Sequence, residues 1–202
     1  MNTDVLVHAA TTNDKPEIWR LIRLIHAENA MFDYDESLVN EFLDGALHPS
    51  KKEGIVAVIR GEGSQIRGMI FLYITRVWYT QEYHIEELLS FVDPEFRESN
   101  YADALVRYAQ HAATSLGVPL VIGILSHTRT LAKVRLYRRR LGMPAGAFFV
   151  YNAPNWVSER TPDLDLWKHT RKRKKPNDVA PIEALIATSV LDMLPMAERK
   201  LA

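Results

Sequence analysis

The middle of the chain constrains the fold most, because its pattern alternates strand, helix and strand. Tyr83–Val92 is predicted to be a strand that ends before Pro94. Tyr101–Leu116 is predicted to be a helix, since its apolar residues recur on one face and Gly117 is a natural C-terminal stop. Residues 119–125 form a continuous apolar run, typical of a strand covered on both faces. This order predicts a crossover between parallel strands of one sheet.

The preceding segment predicts an antiparallel hairpin. Residues 54–59 are rich in β-branched side chains, and the turn GEGSQ leads from them into a second strand over residues 66–78. Val5, Leu6 and Val7 form a further short strand candidate.

Two helices are expected before the hairpin. The first has Asp14 as its N-cap, Pro16 in its first turn and Glu17 at the capping-box position. The second, Glu36–Leu47, is expected to turn Leu38, Phe42 and Leu43 inward.

A basic helix over residues 131–141 and a last strand over residues 147–151 follow the crossover. Together these elements predict an α/β protein, of the α+β mixed-sheet kind, with helices on both faces of the sheet. The main domain is expected to span residues 1–153. Residues 154–202 are expected to form a C-terminal extension of a basic linker and an apolar helix over residues 181–194.

Composition excludes several kinds of chemistry. The 202 residues contain no cysteine, which excludes disulfides, thiolate metal sites and cysteine nucleophiles, and no metal is expected. The N-terminus does not resemble a signal peptide, and no apolar run approaches the roughly 20 residues that span a bilayer. We therefore expect a cytoplasmic protein with no membrane partner.

Three motifs follow one another in the second half of the chain. They are Val92-Asp93-Pro94-Glu95-Phe96-Arg97 at a strand end, Arg97-Glu98-Ser99-Asn100-Tyr101-Ala102 before a helix, and Tyr137-Arg138-Arg139-Arg140-Leu141-Gly142-Met143 at the end of the basic helix. Their order and spacing resemble the GCN5-related N-acetyltransferase (GNAT) family over about residues 5–151. The resemblance implies an acyl-CoA N-acyltransferase fold, with acetyl-CoA as the acetyl donor.

The second motif matches the family's pyrophosphate loop, and its N–H groups lie at the positive end of a helix. Asn100 stands where the family pattern has glycine; asparagine tolerates the left-handed conformation, and the alternative is that it is only an N-cap. The cofactor-binding residues that we expect are Phe91, Val92, Arg97, Glu98, Ser99, Asn100, Tyr101, Ala102, Ser126 and Lys133.

The resemblance also implies catalytic residues. Tyr137 matches the tyrosine that protonates the leaving thiolate, and Glu86 lies where several family members carry a general base. A strand bulge would exchange Glu86 for Glu87, and both are alternatively solvated charges. His127 is a second acid/base candidate, with a polar residue at a strand end as the alternative.

The acceptor pocket is expected between the first two helices. Glu28, Phe32, Asp33 and Tyr34 would make it acidic with aromatic walls, which favours a cationic amine. The alternative is a polar loop between helices.

Three functions compete on the sequence alone. The first is an acetyl-CoA-dependent N-acetyltransferase in which an amine, of a small molecule or a protein, attacks the thioester directly. The second is a catalytically degenerate domain of the same fold that acts as a binding or assembly module. The third is association with nucleic acid or an acidic partner through the basic run at residues 171–175. A homodimer is a further candidate assembly.

Overall fold

The computed structural model describes residues 5–29, 32–48, 50, 54–126, 128–146 and 148. Its strands are β1 His8–Ala9, β2 Gly54–Arg60, β3 Ile66–Arg76, β4 Tyr83–Val92 and β5 Leu120–Val121. Its α-helices are α1 Lys15–Asn29, α2 Glu36–Leu47, α3 Tyr101–Leu116 and α4 Thr130–Leu141. Short 3-10 turns precede α1, at Thr12–Asp14, and follow β4, at Pro94–Phe96.

The strands form one mixed sheet in the order β1-β2-β3-β4-β5. β2 and β3 pair as an antiparallel hairpin, β3 and β4 are also antiparallel, and β4 and β5 are parallel. The predicted mixed sheet and its crossover through α3 are therefore confirmed.

Helices cover both faces of the sheet, as the sequence predicts. On one face, Leu105 and Ala109 of α3 pack on Ile70 and Leu72 of β3. On the other face, the side chains come from α1, α2 and the sheet: Ile18, Leu21, Leu43, Met69 and Phe71. The sheet is thus the middle layer between two apolar clusters, which is the usual way to bury both of its faces.

The start of the chain differs from the prediction in two details. The first strand lies at His8–Ala9, while Val5 packs at the side of a core cluster. Asp14 is not an N-cap: its carboxylate accepts the Thr11 N–H at 2.7 Å, which makes Thr11 the cap of the 3-10 turn that leads into α1. Asp14 is buried because Arg60 of β2 pairs with it.

Helix α2 has the predicted limits but a rotated inner face. Leu43 is fully buried, whereas Leu38 and Phe42 are exposed. The residues that face the sheet are spaced as Val39, Leu43 and Leu47, so positions 38 and 42 are turned by about 100° toward the rim. The expectation that Leu38 and Phe42 point inward is wrong.

The strand predicted at residues 119–125 is mostly absent. Only Leu120 and Val121 pair with β4, and the side chains of Val121 and Leu125 are about half exposed. The prediction that this apolar run is a strand covered on both faces is wrong. Its composition does not show where β5 stops pairing with β4.

The last strand predicted at residues 147–151 lies, apart from Phe148, outside the described residues, as does the extension at residues 154–202. Within the described ranges, no helix is both long and apolar enough to cross a bilayer.

Candidate active site

A cavity of about 430 Å³ opens where β5 separates from β4. The two strands pair only at Ile85 with Leu120 and at Glu86 with Val121. Beyond that point the C-terminal half of β4, the start of α3 and one face of α4 surround the cavity, and Glu28 and Asn29 close it from α1. Asn29 accepts a hydrogen bond from the Thr128 hydroxyl at 2.8 Å, which ties α1 to the loop before α4.

A bulge in β4 decides which glutamate faces this side of the sheet. The register with β3 pairs Leu89 with Phe71 but Glu87 with Leu72, so Leu88 is an extra residue. Ile70 and Leu72 of β3 point to the α3 face, and their partners Ser90 and Glu87 therefore share that face. Without the bulge, the period-2 alternation from Ser90 would have placed Glu86 there instead.

Glu87 is held in a poorly solvated position behind the cavity wall. Its Oε2 atom is buried, without a hydrogen-bond partner among the described residues. Burial raises the pKa of Glu87 to about 7, against the opposing effects of the Lys133 charge and a backbone hydrogen bond from Gly123. A carboxyl with such a pKa can take or give a proton near neutral pH.

Tyr137 of α4 lines the cavity, and its hydroxyl forms a hydrogen bond with the Ser90 side chain. Burial, with the nearby charge of Glu87, raises the pKa of Tyr137 well above its usual range. The phenol therefore stays protonated, which is the state that a proton donor needs.

Lys133 lies one helical turn before Tyr137 and lines the same cavity. Its Nζ donates to the Oγ of the buried Ser126 at 3.0 Å. Burial lowers the pKa of Lys133, while the carboxylates of Glu87 and Glu28 oppose that shift and Arg97 adds to it. The cavity thus contains a lysine whose neutral form is favoured by its surroundings.

The loop before α3 does not use a left-handed residue. Asn100 has φ −88° and ψ 14°, and its side chain makes no capping hydrogen bond. Ser99 supplies that contact instead, since its Oγ accepts the Tyr101 N–H at 3.2 Å and donates to the Phe96 carbonyl at 2.5 Å. The backbone here needs no glycine, and the first-turn N–H groups of α3 lie at the cavity beside the small side chain of Ala102.

Ion pairs order the charged residues at the cavity mouth. The Arg97 Nη2 donates to both carboxylate oxygens of Glu28, at 2.6 and 2.7 Å, and its Nε donates to the Val92 carbonyl. Arg140 binds Asp103 through two hydrogen bonds of 2.5 Å. The Arg97 side chain is thus engaged with the protein.

The structure brings together nine of the residues expected from the sequence. Those that line the cavity are Glu28, Phe91, Val92, Arg97, Ser99, Asn100, Ala102, Lys133 and Tyr137. Ser126 and Glu87 lie behind them, next to Lys133.

The other expected residues do not line this cavity. Glu86 and Glu98 are exposed, and Tyr101 packs on the α3-side core, where its hydroxyl accepts from Arg67. On the acceptor side, Phe32 and Asp33 are exposed, and Tyr34 packs edge-on against His26 with ring centroids 4.6 Å apart. His127 lies outside the described residues.

Sequence reasoning missed Ser90 and Arg129. Both line the cavity, and Ser90 binds Tyr137. Ser90 lies two residues before Val92 on the same strand, so its polar side chain in an apolar strand was an available signal. Arg129 has φ 55°, which is uncommon for a residue with a side chain. No sequence pattern predicts this conformation or its place in the cavity.

Comparison with known proteins shows which family the chain is similar to. The family model described as the acetyltransferase (GNAT) family matches residues 18–143. No curated protein matches the sequence.

Several solved structures have a similar fold. AAC(6')-Iy, solved with the bisubstrate analogue CoA-S-monomethyl-acetylneamine, has a TM-score of 0.58 at 12% identity, covering 74% of this chain and 97% of its own. The aminoglycoside acetyltransferase meta-AAC0020 from an uncultured soil metagenomic sample has a TM-score of 0.53 at 21% identity, covering 72% and 91%. A ribosomal-protein-alanine N-acetyltransferase from Brucella melitensis has a TM-score of 0.54 at 15% identity, covering 74% and 99%.

At these identities the solved structures support the fold alone, whereas the family model covers more than half of the sequence. The chain belongs to the GNAT family of acetyltransferases.

Proposed function

We propose that the protein transfers the acetyl group of acetyl-CoA to an amine by direct attack of that amine on the thioester. The observation that carries the proposal is the position of Tyr137 in the cavity wall with Glu87 behind it. The two groups have opposite tendencies toward protons: the pKa of Glu87 is about 7, and Tyr137 stays protonated. Two groups whose environments separate their pKa values in this way suit a base and an acid.

The cavity residues fit the anionic part of acetyl-CoA. The N-terminus of α3 offers backbone N–H groups and the positive end of its dipole, and Ala102 leaves room for close approach. Arg129, Arg139 and Arg140 line the same cavity and would bind phosphate oxygens. When bound, acetyl-CoA supplies an acetyl group activated as a thioester.

Glu87 is the proposed base and Tyr137 the proposed acid. An alkylamine has a pKa of about 10.4, so it must lose a proton to attack. Glu87 takes that proton directly or through water, because its buried carboxylate gains from protonation. Tyr137 gives its proton to the leaving thiolate, and its bond to Ser90 holds the hydroxyl in position.

Glu28 is the proposed contact for the acceptor. It lies at the cavity edge on α1, and its carboxylate attracts a cationic amine. The names of the neighbours include both small-molecule and protein acetyltransferases, so both acceptor classes belong in the first screen.

The test combines calorimetry and a screen. Acetyl-CoA is titrated into the full chain, and small amines and peptides with a free N-terminus are then screened by release of free thiol. We expect binding and turnover on at least one amine. Absence of binding at high micromolar acetyl-CoA would overturn the proposal and favour the degenerate binding module.

Tyr137→Phe separates chemistry from binding. We expect turnover to fall by roughly 100-fold while the acetyl-CoA Kd stays nearly constant, because the phenol hydroxyl acts on the leaving group. Tyr79→Phe is the matched control, since Tyr79 is exposed and does not line the cavity. Unchanged turnover in Tyr137→Phe would remove Tyr137 from the mechanism.

A further inference from the structure

We propose that Lys133 is itself an acetyl acceptor: with acetyl-CoA bound and no other amine present, the chain acetylates its own Lys133 Nζ. The inference rests on the proposed function, because it uses the same donor and the same proton-transfer groups. It adds a modification site inside the cavity and a self-directed reaction.

Position is the first argument. Lys133 and Tyr137 are four residues apart on α4, so their side chains lie on one face of the helix, and both line the cavity. Ser126, which accepts from the Lys133 amine, is buried behind it. An acetyl group presented to Tyr137 therefore lies on the same side of α4 as this amine.

Freedom to move is the second argument. Among the described residues, the Lys133 amine makes one hydrogen bond, to the Ser126 hydroxyl, and no salt bridge. The four-carbon stem can turn the amine away from Ser126 at the cost of that single contact. The cationic residues nearby are arginines, whose guanidinium groups do not lose their protons.

The surrounding groups supply the proton transfers. Burial lowers the pKa of Lys133 and so raises the fraction of its neutral amine, which is the nucleophilic form. The Nζ atom forms a bond to the acetyl carbon, and the carbon–sulfur bond breaks. The amine gives up one proton to Glu87, and the leaving thiolate gains one from Tyr137, so the products are an amide and free coenzyme A. Transfer of the Glu87 proton back to Tyr137, through water, restores both groups.

Lys15 provides an internal comparison. It is the other lysine in the described part of the chain, and its amine binds Asp44 on the surface at 2.6 Å. Lys15 does not line the cavity, and its amine is held by the Asp44 carboxylate.

The experiment is peptide mass mapping of the full chain after incubation with acetyl-CoA alone. We expect one acetyl group on Lys133, with release of one coenzyme A per chain, at a rate independent of protein concentration. Lys15 and the lysines outside the described residues should react at the slow rate of the urea-unfolded chain. Tyr137→Phe and Glu87→Gln should slow acetylation of Lys133 by roughly tenfold or more.

Lys133→Arg keeps the charge but removes the acceptor, and Lys15→Arg is its matched control. We expect the stoichiometric burst of coenzyme A to disappear in the first variant and persist in the second, with acetyl-CoA binding measured in both by calorimetry. An unmodified Lys133 in a chain that binds acetyl-CoA and acetylates other amines would overturn this inference alone. Equal rates in folded and unfolded chains, or a rate that rises with protein concentration, would also overturn it. A chain that does not bind acetyl-CoA would overturn both proposals.

Discussion

Glu86 and Glu87 are adjacent and chemically identical, yet they occupy different environments. Glu86 is exposed on one face of β4, while Glu87 faces the side of α3 and α4 with an oxygen shielded from solvent. Because an ionised carboxylate is costly to bury, the pKa of Glu87 is raised to about 7. The candidate for the general base is thus Glu87 and not Glu86. Its role as a base stays a proposal.

Glu87→Gln should remove a step from the pH dependence of kcat/KM. The raised pKa means that Glu87 is protonated and inactive as a base below about 7, so wild-type activity should rise as the pH passes through 7. In Glu87→Gln this step should vanish, with activity lower by roughly 100-fold. Glu86→Gln should retain the step. Loss of the step in Glu86→Gln, with the step retained in Glu87→Gln, would make Glu86 the base.

The same shift predicts a pH dependence of stability. The native state holds the Glu87 proton up to about pH 7, whereas an unfolded glutamate releases it near its usual pKa of 4.5. The contribution of Glu87 to stability is therefore largest below pH 4.5 and is lost as the pH rises to 7. Urea denaturation of wild type and Glu86→Gln should show this decline, and Glu87→Gln should show less of it.

Asn100→Gly should preserve or tighten acetyl-CoA binding. The φ of −88° shows that this position needs no glycine, and the Asn100 side chain makes no capping bond that glycine would lose. Removing it clears space at the cavity, at a cost to the helix of a few tenths of a kcal/mol. Calorimetry measures the Kd. A clear loss of affinity would assign the Asn100 side chain a direct role in binding.

At the scale of elements, helix α2 has the limits that the sequence predicts, but a different face of the helix packs on the sheet. Its limits follow from local signals, including the Asp35 carboxylate, which accepts the N–H groups of Ser37 and Leu38. Its rotation is set by contact with the sheet through Leu43 and Leu47.

A pair of substitutions tests that rotation. Leu43→Ala should lower the free energy of unfolding by about 3 kcal/mol, because Leu43 is fully buried against the sheet. Leu38→Ala should change it by less than about 0.5 kcal/mol, since Leu38 is exposed on the same helix. Urea denaturation measures both, and equal losses would contradict the observed face.

Gly117 ends α3 in a left-handed conformation, with φ 67°, and its N–H donates to the Thr114 carbonyl. Gly117→Ala should destabilise the protein by about 1 kcal/mol through backbone strain, because no atom of the described residues lies within 4 Å of the added Cβ. Gly146→Ala is the control: its Cβ position is equally open and its φ is not in the left-handed range. A stable Gly117→Ala variant would show that the C-cap relaxes.

At the scale of the whole molecule, the cavity lies beside the part of β4 that extends beyond its two residue pairs with β5. Elements distant in sequence then meet around it. Glu28 of α1 and Arg97 of the loop after β4 are 69 positions apart, and their ion pair joins the α1 side of the cavity to the α3 side.

Glu28→Gln should therefore affect both substrates. The acceptor KM should rise, because a negative contact is lost, and the acetyl-CoA Kd should fall, because Arg97 becomes available to phosphate oxygens. Glu36→Gln is the matched control, since Glu36 is exposed and its ion pair with Arg23 is long, at 3.9 Å. A weaker acetyl-CoA affinity in Glu28→Gln would show that the ion pair instead holds the cofactor loop in place.

Much of the fold could be predicted from the sequence. The limits of Tyr83–Val92, Tyr101–Leu116 and Glu36–Leu47 follow from apolar periodicity and end signals, which act within a few residues. The three motifs, with their order along these elements, also indicate the family that the family model matches over residues 18–143. The sequence by itself therefore determined most of the elements, their order and the neighbourhood of the site, but not the limits of β1 and β5.

The tertiary structure alone decided the chemistry of that neighbourhood. Pairing with β3 created the bulge that turns Glu87 rather than Glu86 toward α4, and the early divergence of β5 opened the cavity. Packing then partly buried Tyr137 and Lys133 near Glu87. Sequence patterns record a residue's local period, whereas its pKa depends on desolvation and charges contributed by distant segments, and these exist only once the chain is folded.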